Sequence, residues 1–145
     1  MRVATGLLIA LLTIAAPARA DGAAVLDASR ASSQVSSGEI TLIDVRSPGE
    51  WRQTGIARGA KPVTIHGPAG LDGFVADTTR AVGGDKDQPV AVICATGRRS
   101  SRAADALRAA GFTNVINIRE GMFGNQTDGP GWLSRKLPVD DCKSC

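Results

Sequence analysis

The sequence predicts an α/β fold, a parallel sheet with helices on both faces. Three observations point to it. Short, wholly apolar runs such as Val90-Ala91-Val92-Ile93 recur along the chain, and segments with helical spacing separate them. At 145 residues, with no internal repeat, the chain fits one domain large enough to bury a core without metals or disulfides.

The elements follow in order. Residues 21–37 are Ala- and Ser-rich, and a short helix is expected there with Ala24, Leu26, Ala28 and Ala31 as its buried positions. Gly38 punctuates, and Ile40, Leu42, Ile43 and Val45 mark a buried strand ending at Asp44-Val45-Arg46. Ser47-Pro48-Gly49-Glu50 then suits a helix start, with Ser47 as cap, Pro48 at the first helical position and Glu50 three residues after the cap. A turn leads to a strand over Pro62 to Ile65, and Gly67 to Val82 is weakly helical around Leu71, Phe74 and Val75. After the polar "GGDKDQP" connection comes the strand Val90 to Ile93, which ends in Cys94. In "SSRAADALRAAG" the residues Ala103, Leu107 and Ala110 share one helical face, Arg102 and Arg108 another, and Gly111 stops the helix. "TNVINI" is the last strand, and the Gly- and Pro-rich tail from Gly121 is expected to be packed down by Met122, Phe123 and Trp132.

Composition narrows the function. Hydrophobic content of 43% and charged content of 21% are those of a globular protein. Aromatic content of 3% removes the stacking platform that single-stranded nucleic-acid binders use, so no nucleic-acid partner is expected. At the N-terminus, Met1-Arg2, the apolar Gly6 to Ala16 and the A-x-A site Ala18-Arg19-Ala20 read as a signal peptide over residues 1–20. The apolar run stops at Pro17, short of the roughly 20 residues that span a bilayer. The mature protein is therefore expected to be exported, periplasmic in a Gram-negative source, with no membrane span. Cleavage would remove two of the 17 basic residues and none of the 14 acidic ones, lowering the formal charge from +3 to +1.

The chemistry concentrates in "CATGRRS". In a parallel sheet, ligands bind beyond the carboxyl ends of the strands, and Cys94 stands at that edge with a helix start close behind it. A tight turn over Ala95, Thr96 and Gly97, the free N–H groups of the following helix and the charges of Arg98 and Arg99 together favour an ionised thiol. Cys94 as a small core residue closing a strand is the plainer reading, and the two arginines, the glycine and the helix start weigh against it.

With "LIDVRSPGEW" and "GIARGA" upstream and "EGMFGNQTDGPGW" downstream, the chain resembles the single-domain rhodaneses, which are sulfurtransferases. The resemblance covers residues 35–139. It implies a rhodanese-like domain there, an N-terminal extension over 21–34, and a tail over 140–145 that carries Cys142-Lys143-Ser144-Cys145. It also implies that Cys94 attacks a small anionic sulfur donor such as thiosulfate, holds the sulfur as a persulfide, and passes it to a thiol or cyanide. Ala95, Thr96, Gly97, Arg98 and Arg99 would form the substrate-binding loop, with no cofactor and no metal. Where many relatives carry Gly-His-Ile, this chain has Gly55-Ile56-Ala57.

Other readings stay open. A cysteine phosphatase or arsenate reductase would need arginine six positions after the cysteine, where this chain has Ser100. A non-catalytic sulfur carrier, or a partner of a thiol-redox protein, would use Cys94 with Cys142 and Cys145, which in an exported chain suit a disulfide or redox pair. His66 reads as a surface-loop residue, Trp51 and Trp132 as packing residues, and Asp44 with Arg46 either as a border of the cleft or as a structural pair.

Overall fold

The computed structural model describes residues 23–145, and the expected leader, residues 1–20, lies outside them. Five parallel strands form the sheet: β1 (Ala24–Val25), β2 (Thr41–Asp44), β4 (Lys61–Pro62), β5 (Val90–Ile93) and β6 (Val115–Ile118). Their order is β1-β6-β5-β2-β4. Between and around them lie α1 (Ala28–Ser36), α2 (Pro48–Thr54), α3 (Gly70–Ala81), α4 (Arg98–Ala109) and α5 (Gly131–Ser134). A small antiparallel pair joins β3 (Ile56–Ala57) to β7 (Val139–Asp140).

The central strand shows why its sequence is apolar throughout. All four residues of β5 are fully buried. Val90 and Val92 face a core with Phe74 of α3 and Ala103 and Leu107 of α4. Ala91 and Ile93 point the other way, into a core with Ala28 and Ala31 of α1, Met122 and Trp132. A side-chain period of two thus feeds two cores, one under each layer of helices. Fully burying each of Val90, Val92 and Ile93 is worth about 1.5–3 kcal/mol, so this strand anchors the fold.

Register places the site. Asp44 pairs with Ile93, and Ile93 with Ile118, so β2, β5 and β6 end in one row. The next residues, Val45, Cys94 and Arg119, therefore leave the sheet side by side.

Three local expectations are corrected. Ala24 is exposed and lies in a two-residue edge strand beside β6, so the N-terminal helix begins only at Ala28. The second strand is Lys61–Pro62; beyond it only Val63 and Ile65 still donate to the carbonyls of Asp44 and Val45, so the ladder loosens where the chain turns toward the site. Phe123 is exposed, and Met122 and Trp132 alone among those three residues pack the tail down.

The tail is held by Glu120, a buried carboxylate. It accepts from the N–H of Ala28 and of Gly131 and from Arg135 Nε and Nη2, at 2.8–3.1 Å. Burial opposes its ionisation, but the Arg135 contacts and the two backbone donors outweigh that and hold its pKa below the ordinary carboxylate range. One side chain so ties the start of α1 to the segment that carries Trp132. Among the described residues no helix is long and apolar enough to cross a membrane.

Candidate active site

Cys94 follows the last residue of β5 and is 1% exposed, at the floor of a cavity of about 400 Å³ lined also by Thr96, Arg98, Arg99 and Arg102. The loop that surrounds its sulfur turns its backbone outward. The carbonyls of Cys94, Ala95 and Thr96 accept from Met122 N (2.8 Å), Phe123 N (2.9 Å) and Asn125 Nδ2 (3.3 Å). Gly97 N–H points the other way and donates to Cys94 Sγ at 3.1 Å. The negative ends of these dipoles thus face away from the sulfur, which suits an anion at Sγ.

Two glycines let the loops approach this closely. Gly97 has φ +96°, and a Cβ there would stand 2.2 Å from Arg119 O. At Gly121, φ +67°, a Cβ would stand 2.4 Å from Ala95 O. The sequence marks Gly97 as a turn residue; the need for Gly121 arises from a neighbour distant in the chain.

Ser100, in the first turn of α4, is fully buried, with Oγ 3.5 Å from Cys94 Sγ and 3.0 Å from Gly97 O. A hydroxyl proton rotates freely, so Ser100 accepts from the thiol or donates to the thiolate. It occupies the position at which a cysteine phosphatase would carry arginine.

The two loop arginines differ. Arg98 is exposed on the cavity rim. Arg99 is gripped by Glu50 of α2, Nη1 to Oε2 at 2.7 Å and Nη2 to Oε1 at 2.6 Å. The same Nη1 lies 3.2 Å from His66 Nε2, which must accept because a guanidinium only donates. Arg99 therefore presents its charge already paired, and Arg102, one turn further along α4, joins Arg98 as the second rim cation. From sequence, Arg102 reads only as the outer face of a helix.

Glu50 serves twice. Its carboxylate accepts from Ser47 N at 2.9 Å, completing the expected capping box, and holds Arg99. The Arg99 contact, against the opposing effect of burial and with help from Ser47, lowers its pKa from 4.5 to about 2. Between those two values the unfolded chain binds a proton that the folded one does not. The stability this contact supplies is complete above about pH 4.5 and is lost as the pH falls toward 2. Glu50→Gln should therefore flatten the decline of the urea midpoint across that window; an unchanged slope would contradict the assignment.

Asp44 and Arg46 form a structural pair. Both are fully buried, 2.7 Å apart, and Arg46 also reaches Thr54 Oγ1 and Gly55 O at the end of α2. Cys142 and Cys145 are joined in a disulfide, with Cys142 buried against Trp51 and Ile56, and Cys94 is the free cysteine. Among the described residues no cluster of three metal-ligating side chains occurs.

A free thiol at the carboxyl edge of a parallel sheet, in a short loop whose Gly97 N–H faces the sulfur beneath rim arginines, defines a cysteine-loop α/β protein. Residues 27–127 match the rhodanese-like domain, and the chain belongs to the rhodanese family. It is 33% identical over 99 residues to an uncharacterized protein of Rickettsia prowazekii, covering 67% of this chain and 80% of that one. A sulfurtransferase of Allochromatium vinosum is 29% identical over 101 residues, 70% of this chain and 78% of its own. The solution structure of the polysulfide-sulfur transferase homodimer of Wolinella succinogenes superposes with a TM-score of 0.59 at 28% identity, covering 82% of this chain and 79% of that one. The family thus includes sulfurtransferases.

Proposed function

We propose that this protein is a sulfurtransferase that carries a sulfane sulfur on Cys94. The observation that carries the reading is the sulfur at the floor of a cation-rimmed cavity, facing the Gly97 N–H. With thiosulfate as donor, the Cys94 thiolate attacks the outer sulfur, the donor S–S bond breaks, and its electron pair leaves with sulfite. Cys94 then holds a persulfide anion. A nucleophile such as cyanide or a thiolate attacks the outer sulfur in turn, and the electron pair of the broken bond returns to Sγ.

Arg98 and Arg102 would draw the anionic donor and release sulfite to solvent, because both stand at the rim. Gly97 N–H would serve thiolate and persulfide alike, as a fixed donor that needs no rearrangement between the half-reactions, and the Ser100 hydroxyl would turn from Gly97 O to donate to the sulfur when it is charged. Such a scheme is ping-pong, since the sulfur rests covalently on the protein between substrates. The tail disulfide favours it over a redox-partner reading, because Cys94 is left without a resolving thiol.

Protein treated with thiosulfate should gain the mass of one sulfur atom and lose it again on adding cyanide. Cys94→Ser should lower turnover by at least about a thousandfold, as loss of a covalent nucleophile does. Retained activity in that variant would sink the proposal.

A further inference from the structure

A second cavity, of about 360 Å³, adjoins the one above Cys94, and Thr96 and Arg98 line both. Its other lining residues include the polar and charged side chains of Ser101, Arg119, Thr127 and Asp128. We propose that it seats the sulfur acceptor and selects a small zwitterionic thiol, cysteine or a short cysteine peptide. This rests on the sulfurtransferase reading and adds to it the identity of the second substrate.

The two cavities differ in charge. The one over Cys94 is rimmed by Arg98, Arg99 and Arg102, which suits a donor bearing negative charge alone. The second shares Arg98 but adds an anion, Asp128, which stands beside a further cation, Arg119 Nε lying 3.3 Å from Asp128 Oδ1. That pair is partly exposed, at 47% and 20%, so it contributes little to folding and its two charges are exchangeable. A bound amino acid would give its carboxylate to Arg119 and its ammonium to Asp128, replacing one ion pair by two. An anion without the ammonium would leave Asp128 unpaired, and an amine without the carboxylate would do the same to Arg119.

The site is also built in advance. Asn125 Oδ1 accepts from the N–H groups of Thr127 and Asp128, at 3.0 and 2.8 Å. Its Nδ2 donates to Thr96 O and Arg119 O. One amide therefore fixes the wall of the second cavity to the loop that holds Cys94, so an acceptor anchored on Arg119 and Asp128 is held in a set relation to the persulfide. The seated thiol loses its proton to solvent, its sulfur attacks the outer sulfur of Cys94, and the electron pair of the broken S–S bond returns to Sγ. The product leaves as the persulfide of the amino acid.

The test loads Cys94 with thiosulfate, removes excess donor, and follows discharge against the thiolate concentration of four acceptors: L-cysteine, cysteinylglycine, cysteamine and 3-mercaptopropionate. The two zwitterions should saturate at concentrations up to about fivefold lower than the other two, the factor that one exposed charge contact of about 1 kcal/mol supplies. Arg119→Ala and Asp128→Ala should each erase that advantage and leave loading by thiosulfate unchanged. Equal concentration dependence for all four thiols, or an advantage that survives both substitutions, would overturn the proposal. Binding of the unreactive S-methyl-L-cysteine, followed through the amide resonances of Thr127 and Asp128, separates the two levels of inference. Binding lost in Arg119→Ala supports the seat even if thiosulfate leaves no sulfur on Cys94, which would overturn the sulfurtransferase reading alone. No binding in the intact protein overturns the seat.

Discussion

Arg46→Met should destabilise the protein by about 3–5 kcal/mol, the cost of leaving one member of a buried ion pair without its partner. Asp44 and Arg46 are both 0% exposed. Arg46 Nε lies 3.0 and 3.1 Å from the two Asp44 oxygens, and Nη2 lies 2.7 Å from Oδ2 and 2.8 Å from Gly55 O. Nη1 reaches Thr54 Oγ1 at 2.9 Å. Met fills the space of the stem but satisfies none of these acceptors, and the Asp44 carboxylate is left buried without its partner. The double variant Asp44→Leu with Arg46→Met should cost less than the two single changes combined, because it removes the charge together with its partner. Urea unfolding midpoints of the three variants measure this. A loss below about 1 kcal/mol for Arg46→Met, the size expected of an exposed pair, would show that the pair is not buried in solution.

This pair reaches the site through one helix. Arg46 holds the carboxyl end of α2, and Glu50 on the same helix holds Arg99 on the rim of the Cys94 cavity. Local pattern reveals the first half of that arrangement, since Ser47-Pro48-Gly49-Glu50 spells a helix start and its capping box is present. It does not reveal that the capping carboxylate also grips an arginine 49 residues away, because that meeting is set by how β2 and β5 align. The same limit explains Ser100 and Arg102, which sit on α4 at positions whose helical spacing fits an ordinary amphipathic helix. The strand, loop and helix around Cys94 were legible because all their parts are contiguous in sequence. The two-residue strands were not: Ala24–Val25 is too short to show a period and is placed by its pairing with β6. Phe123 is apolar yet exposed, although Phe123 N–H bonds Ala95 O, so its backbone rather than its ring secures the loop.

Gly97→Ala should cut the rate of persulfide formation by about 10²–10³, the loss that follows removal of one fixed donor at an anionic centre. Gly97 opens α4 with φ +96° and ψ −22°, where an L residue pays about 1–2 kcal/mol for the left-handed backbone. Space makes the larger difference. The added Cβ would stand 2.2 Å from Arg119 O and 3.1 Å from Arg119 C, and both are backbone atoms that no side-chain rotation can move. The Cys94 loop and the segment after β6 must then separate, which pulls Gly97 N–H away from Sγ and strains the carbonyl contacts to Met122 and Phe123. Gly111→Ala supplies the control. Gly111 has a similar φ of +93° but nothing within 4 Å of an added Cβ, so it bears the backbone cost without the collision. Its stability should fall by the left-handed increment alone, and its persulfide formation should match the wild type. If Gly97→Ala lost no more stability than Gly111→Ala and loaded sulfur at the wild-type rate, neither the close approach of the two loops nor the Gly97 donor would matter to the chemistry.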